Sequence, residues 1–250
     1  MALYTDANIS TVDDLTAQDS AVLDVASTEG IDVTRKLELA REELGVELNA
    51  LLARMSWRDT QPPALSSVVV TPPLKLWHTL YTLELIYRDV FNSQLNERYL
   101  GKRDQYQQLA RQAEERLMQA GIGIALEPLP QPGPPSITAV TGSLAEGTYS
   151  VTTSWVGGSG DEGACAPATT VTVAAGTGLV VAPGPAPAAA TGWNVYAGTA
   201  AENMRRQNGA TLGTGTTWRQ SAMPSSDGGA PGNGQTPSYL RPAPRILQRG

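Results

Sequence analysis

Residues 127–135 read EPLPQPGPP, five prolines in nine positions. Proline fixes φ and has no backbone N–H, so neither a helix nor a central strand runs through such a stretch. Two kinds of structure are therefore expected on either side of a semi-rigid linker. Composition changes at the same place. Residues 1–126 hold 12 of the 18 Lys and Arg, 18 of the 24 Asp and Glu, and only 5 of the 25 Gly. The formal charge of −6 lies wholly in that part, while the remainder is neutral and carries 14 of the 18 Pro.

The same inventory excludes several function classes. One Cys cannot close an internal disulfide, and one Cys with one His argues against a transition-metal site or a His-dependent triad. The acidic balance argues against a nucleic-acid groove, which needs a concentrated basic face. Apolar runs fall short of the roughly 20 residues that span a bilayer. No charged-then-apolar leader opens the chain, so neither a membrane span nor a signal segment is expected. The composition points to a structural or binding protein rather than an enzyme, with no cofactor.

Residues 1–126 read as helices. Leu37, Ala40, Leu44, Leu48, Leu51 and Met55 recur in steps of three and four, one stripe of a helix. A shorter helix over residues 19–28 uses Val22, Leu23 and Ala26 and stops at Gly30, a left-handed cap. Thr11, Asp13 and Asp14 suit the first turn of another. After Pro62 and Pro63 comes a β-like run, Val68 to Val70, then Thr71 as an N-cap with Pro72 behind it. The helix that follows carries Leu76, Leu80, Leu83, Tyr87 and Val90 on one stripe and Trp77, Tyr81, Leu85 and Arg88 on a second. A helix apolar on two sides is central in a bundle or shared with a neighbouring subunit. Gly101 reads as a break before a last helix on Tyr106, Leu109, Ala113 and Leu117.

Beyond the linker, short Thr-, Val-, Tyr- and Trp-rich segments alternate with Gly-rich turns. Strands are expected over residues 136–140, 148–156, 169–174, 179–181, 192–197 and 216–220. Tyr149, Val151, Thr153 and Trp155 share one face at period two, as do Trp193, Val195 and Ala197. The pattern predicts a small antiparallel β-sandwich with both tryptophans in its core. Residues 221–237 have almost nothing to bury and should be disordered alone. Residues 238–250 carry three Arg and no acid. The fold class is thus α+β multidomain: a helical body over 1–126, a linker over 127–135, a sandwich over 136–220 and an extended arm over 221–250.

No catalytic constellation survives inspection. His78 has no Ser or Cys with a supporting acid placed for it by any spacing. Cys165 lies in a Gly/Ala/Pro loop without basic neighbours to lower its pKa. Asp13/Asp14, Glu42/Glu43 and Glu114/Glu115 point about 100° apart on a helix and do not converge. Asp161 and Glu162 sit in a Gly-rich turn without the ligand spacing of a calcium loop. Residues 228–234 lack the Lys-Ser/Thr of a phosphate loop. Arg205 and Arg206 read as ordinary loop surface. Tyr239, Leu240, Arg241, Arg245, Ile246, Leu247 and Arg249 make an amphipathic basic arm suited to docking, since its charge opposes that of the helical body.

Two stretches carry a resemblance. Residues 31–54 (IDVTRKLELAREELGVELNALLAR) and 71–99 (TPPLKLWHTLYTLELIYRDVFNSQLNERY) resemble the helical head-to-tail adaptors, or connectors, of tailed bacteriophages. Residues 192–198 (GWNVYAG) look like part of the fibronectin-type-III-like or immunoglobulin-like domains appended to phage structural proteins. The resemblance implies a homo-oligomeric ring, typically dodecameric, in the virion neck between the portal vertex and the tail or its stopper or nozzle protein. It implies lateral packing of helices between subunits, here through Trp77, Tyr81, Leu85, Tyr87 and Arg88, and a C-terminal arm that clamps the portal. An acidic lumen would let DNA slide through without sequence-specific binding. The rival reading is a carbohydrate-binding or cell-wall-associated sandwich, with Trp218 and Tyr239 exposed to glycan.

Overall fold

The computed structural model describes residues 1–6, 8–55, 63–94, 97–232 and 234–241, and the fold is α+β. Five α-helices stand among the described residues: α1 (Val12–Gln18), α2 (Val22–Glu29), α3 (Val33–Met55), α4 (Pro72–Gln94) and α5 (Leu100–Ala120). None is long and apolar enough to cross a membrane. The chain divides into two compact units, one of Ala7–Ile124 with Pro237–Gly250 and one of Met1–Asp6 with Ala125–Thr236. The division differs from the expected boundaries at both ends. The first six residues belong with the β strands, and the last described strand, Ser238–Leu240, belongs with the helices.

Local chemistry explains where the helices start and stop. Thr11 forms a reciprocal capping box with Asp14 at the head of α1. Gly30 ends α2 at φ 70°, a left-handed conformation that favours glycine. Thr71 departs from expectation. Its carbonyl starts the α4 ladder by accepting from Lys75 N at 2.9 Å, but its hydroxyl is buried without a hydrogen-bond partner. The break before α5 falls at a 3₁₀ turn, Glu97–Tyr99, and Gly101 lies inside the first turn of α5. On α3 the buried stripe runs through Leu37, Ala40, Leu44 and Leu48 to Leu52 rather than Leu51. A 3.6-residue repeat rotates the stripe by that one position.

The two apolar stripes of α4 resolve to a central helix. It packs against each of the other four, and every residue from Thr82 to Tyr87 is buried. The polar anchor of this unit is Asp19, which caps the end of α1 and is buried. Its carboxylate accepts from the Tyr87 hydroxyl at 2.7 Å, the Lys102 ammonium at 2.8 Å and the Tyr106 hydroxyl at 3.0 Å. The Ala21 backbone N–H adds a bond at 3.1 Å. Strand β1 (Ile122–Ile124) continues from α5 and pairs antiparallel with Ser238–Leu240, matching Gly123 to Tyr239. Val68 bridges Ile124 on its other side.

The second unit carries β2 (Ser136–Leu144), β3 (Gly147–Gly157), β4 (Thr169–Val173), β5 (Thr177–Ala182), β6 (Ala190–Gly198), β7 (Arg205–Arg206), β8 (Leu212–Gly213) and β9 (Trp218–Gln220). Ser238–Leu240 is β10. One antiparallel sheet has the order β2-β5-β9; the other is β4-β3-β6-β7, with β8 also on β6. Leu144, Leu179 and Val181 from the first sheet share one core with Tyr149, Val151, Trp155, Trp193 and Val195 from the second. The alternation read from β3 and β6 thus faces that core.

Three low-complexity stretches are more structured than their composition suggests. Leu129, inside the proline-rich stretch, is buried in this core. Arg205 and Arg206 form a strand on β6 rather than a loop. Residues 221–232 and 234–236 are tied to this unit: Gly229 O accepts from Arg206 N at 2.8 Å, and the Gln235 side chain bonds Leu129 N and Glu127 O, each at 2.8 Å. Gly234 has φ 95°, and a Cβ there would come within 2.2 Å of Met1 O.

Asp19→Ala would leave two buried tyrosine hydroxyls without an acceptor and the Lys102 ammonium unpaired. We expect a loss of about 3 kcal/mol in unfolding free energy, followed by helical circular dichroism in urea. A loss below about 1 kcal/mol would contradict the role given to this carboxylate.

Candidate functional site

His78 has the one contact among the described residues that resembles a catalytic pair, and its surroundings make it structural. Its Nδ1 lies 2.6 Å from the Ser10 hydroxyl and its Nε2 lies 3.2 Å from the Leu37 carbonyl. A carbonyl only accepts, so Nε2 carries the proton and Nδ1 accepts from Ser10. Both residues are 1% exposed, which seals the pair from any substrate. Burial pushes the imidazole pKa down to about 4, outweighing the Leu37 hydrogen bond that favours the charged form. The ring is a neutral pin joining the N-terminal segment, α3 and α4.

Cys165 is equally inert. Burial and the nearby Glu162 carboxylate push its thiol up to about 12, against weaker help from Ser154 and Gly232. Glu162 is committed as well, since its carboxylate accepts from the hydroxyls of both Ser154 and Tyr196. Asp161 instead takes the Ser159 hydroxyl at 3.0 Å on the surface. The Gly-rich turn is therefore a strap, held further by Gly163 N donating to Trp155 O and Ala166 N to Thr153 O. No group of three His, Cys, Asp or Glu able to hold a metal occurs among the described residues.

Carboxylates converge between helices rather than within dipeptides. Glu42 and Glu43 diverge: Glu42 pairs with exposed Arg35 at 3.3 Å, while Glu43 accepts from the Tyr81 hydroxyl. On that inner side Glu43 and Glu47 of α3, Glu84 of α4 and Glu114 of α5 line a groove of about 520 Å³. Among the described residues Arg111 is its one basic lining residue, Leu44 and Trp77 lie in its floor, and Val46 is 69% exposed on its wall. Glu84 is 8% exposed. Among the described residues it accepts no hydrogen bond and makes no ion pair, with Arg88 and Arg111 acting on it only at longer range. Burial therefore raises its carboxyl above the usual range, against the pull of those two arginines. Glu114 is raised too, by burial and then by Glu47 and Glu115.

The residues expected at a lateral interface fall mostly inside this unit. Trp77, Leu85 and Tyr87 are buried in the helical core, Tyr81 is half-buried in the groove, and Arg88 is exposed. A buried side chain has no surface left for a neighbour, so Trp77, Leu85 and Tyr87 serve this chain's own packing. Of the expected arm, Tyr239 and Leu240 lie in β10, and Arg241 Nε donates to Ala120 O at 3.2 Å. Arg245, Ile246, Leu247 and Arg249 lie outside the described residues. Trp218 packs against the β core, so it is not the open platform that the glycan reading needs. The groove was not anticipated. Its signal was Glu84, a lone acid inside the apolar run from Leu83 to Ile86.

No protein-family model matches the chain, and no curated protein matches it.

His78 makes the helical unit sensitive to mild acid. Its folded pKa lies below the unfolded value of about 6.5, so its contribution is complete above that pH and erodes as pH falls toward about 4. The loss over that window is on the order of 3 kcal/mol. Urea unfolding from pH 7 to 4 should show this slope, and His78→Gln should flatten it. An imidazole carbon shift titrating near its ordinary midpoint in the folded chain would contradict the assignment.

Proposed function

We propose that the chain is a structural adaptor of a tailed-phage neck, built as a helical bundle, a small β-sandwich and a C-terminal arm. In this reading copies form a ring below the portal vertex, receive the tail or its stopper protein, and surround the path of the DNA. The observation that carries it is the β1–β10 pairing. After the β unit the chain returns to the helical body through β10, so the basic C-terminal residues are attached to the acidic helical unit rather than to the sandwich. Arg241 also supports an anchored tether, because it bonds the last carbonyl of α5.

The acidic body supports the conduit role: like charge repels the duplex from the wall and leaves it mobile. With Trp77, Leu85 and Tyr87 buried, contacts between copies fall to exposed residues, among them Arg88, Leu23 and Leu100. Such a thin apolar contribution favours ring closure on a portal template over a ring formed alone.

The test is assembly. Removing residues 242–250 keeps β10, and so keeps β1 paired. We expect the shortened chain to fold, by circular dichroism, yet fail to join portal-bearing heads to tails. Native mass measurement on portal complexes should give a closed ring of the full-length chain and none of the shortened one. Normal joining by the shortened chain, or no association of the full-length chain with portal, would refute the reading. Polysaccharide binding by a monomer would favour the glycan alternative.

A further inference from the structure

One flank of the β unit is open in both of its sheets. Among the described residues β2 pairs only with β5 and β4 only with β3, and the two strands approach each other on the same side of the sandwich. Such an edge keeps a row of backbone N–H and C=O groups that another strand can pair. The far edges are blunted. There β7 and β8 are two residues each, β7 being Arg205 and Arg206, and β9 has three with exposed Arg219 at its centre. The near edges are not: β2 has nine residues and β4 five, and no charged residue occurs from 128 to 145 or from 163 to 201.

The core is unfinished along this flank. Ile137 stands opposite buried Val181, Ala139 opposite buried Leu179, and Val171 opposite buried Tyr149, so all three face inward. Yet Ile137 and Val171 are half-buried and Ala139 is exposed. The C-terminal end of β2 is already engaged, since the Arg219 guanidinium donates to Thr141 O at 2.6 Å and Ser143 N to Ser221 O at 2.7 Å. Residues 136–140 are therefore the open run, and Thr138 is its centre.

We propose that two copies of this chain join through β2, paired antiparallel about a two-fold axis at Thr138. In that register Ile137 of one copy meets Ala139 of the other on the inner face, a large side chain against a small one. The two Thr138 side chains meet on the outer face. The axis of an antiparallel pair runs perpendicular to the sheet, so it also carries β4 of one copy toward β4 of the other. A second copy thus covers both open layers and the half-buried Ile137 and Val171 between them, whereas a lone extended peptide covers one layer. The charge-free sequence fits self-pairing, in which any charge at the axis would face its own like. The contact is small, so the pair should form and part with concentration. The inference uses neither the helices nor the C-terminal segment and does not require the ring reading.

The test is sedimentation of the full-length chain at rising concentration. Thr138→Lys and Thr138→Glu each set like charges on the axis and should weaken pairing by about tenfold or more, while an equimolar mixture of the two should recover most of it. Thr217→Lys, at an exposed position outside β2 and β4, should leave pairing unchanged. In a Cys165→Ser background, Thr138→Cys should form a disulfide between copies much faster than Thr217→Cys. Opposed Cα atoms in an antiparallel pair lie about 4.5–5.5 Å apart, within reach of that bond. A chain still monomeric at about 1 mM overturns the proposal, as does pairing indifferent to both charged variants. Loss in each variant without recovery in the mixture overturns the two-fold register. Where copies also associate through another surface, the disulfide at residue 138 reads this edge alone, and its absence overturns the proposal.

Discussion

A buried carboxylate is stable only when its hydrogen-bonding capacity is filled, and the helical unit is arranged around meeting that condition at Asp19. Burial by itself would raise its pKa. Donors from Lys102, Tyr87, the Ala21 backbone and Tyr106 overcome that and hold it below the ordinary value. Those donors come from the start of α2, from α4 and from α5, so a single side chain ties the α1–α2 corner to the two long helices. The aromatic partners reinforce one another. Tyr87 and Tyr106 stack at 5.3 Å, and the Lys102 ammonium lies 5.8 Å and 5.4 Å from their ring centres. With α4 and α5 held in this way, their inner faces become the far wall of the acidic groove, along the same helices.

The β unit solves a different problem, that of ordering Gly- and Pro-rich backbone that has little to bury. Side-chain amides do so by acting as stand-ins for a neighbouring strand. Asn208 accepts from Val195 N at 3.0 Å and donates to Asn194 Oδ1 and Ala210 O, each at 2.9 Å. Gln207 accepts from Ser225 N at 2.8 Å and donates to Ser225 O at 3.0 Å. Gln235 does the same for the proline-rich stretch. Each amide offers one acceptor and two donors, enough to replace a missing ladder partner. Apolar burial then needs only the two tryptophans and their neighbours.

That difference explains what could be read from the residues in advance. The stripe from Leu37 to Leu48 and the alternation in β3 and β6 are local periodicities, and both match buried faces. Leu129 and residues 221–232 and 234–236 have no periodicity. Their order comes from single bonds to distant backbone, as from Gln235 to Leu129, which leave no local pattern. The same reason hid the groove. Glu43, Glu84 and Glu114 are far apart in the chain, and only helix packing brings them together. The β-like run at Val68 was legible, whereas its pairing with Ile124 was not.

The two carboxylates buried in the helical unit show how one fold gives the same group opposite environments. Asp19 is surrounded by donors and stays charged at low cost. Glu84 sits one turn of α4 before Tyr87, which serves Asp19, yet meets only distant arginines and another carboxylate. Its side chain lines the groove between α3, α4 and α5. A carboxylate with donors is satisfied by its own fold, whereas one without them takes its hydrogen bonds from solvent. The asymmetry between Asp19 and Glu84 therefore separates the part of the helical unit that holds the fold together from the part that lines an open groove.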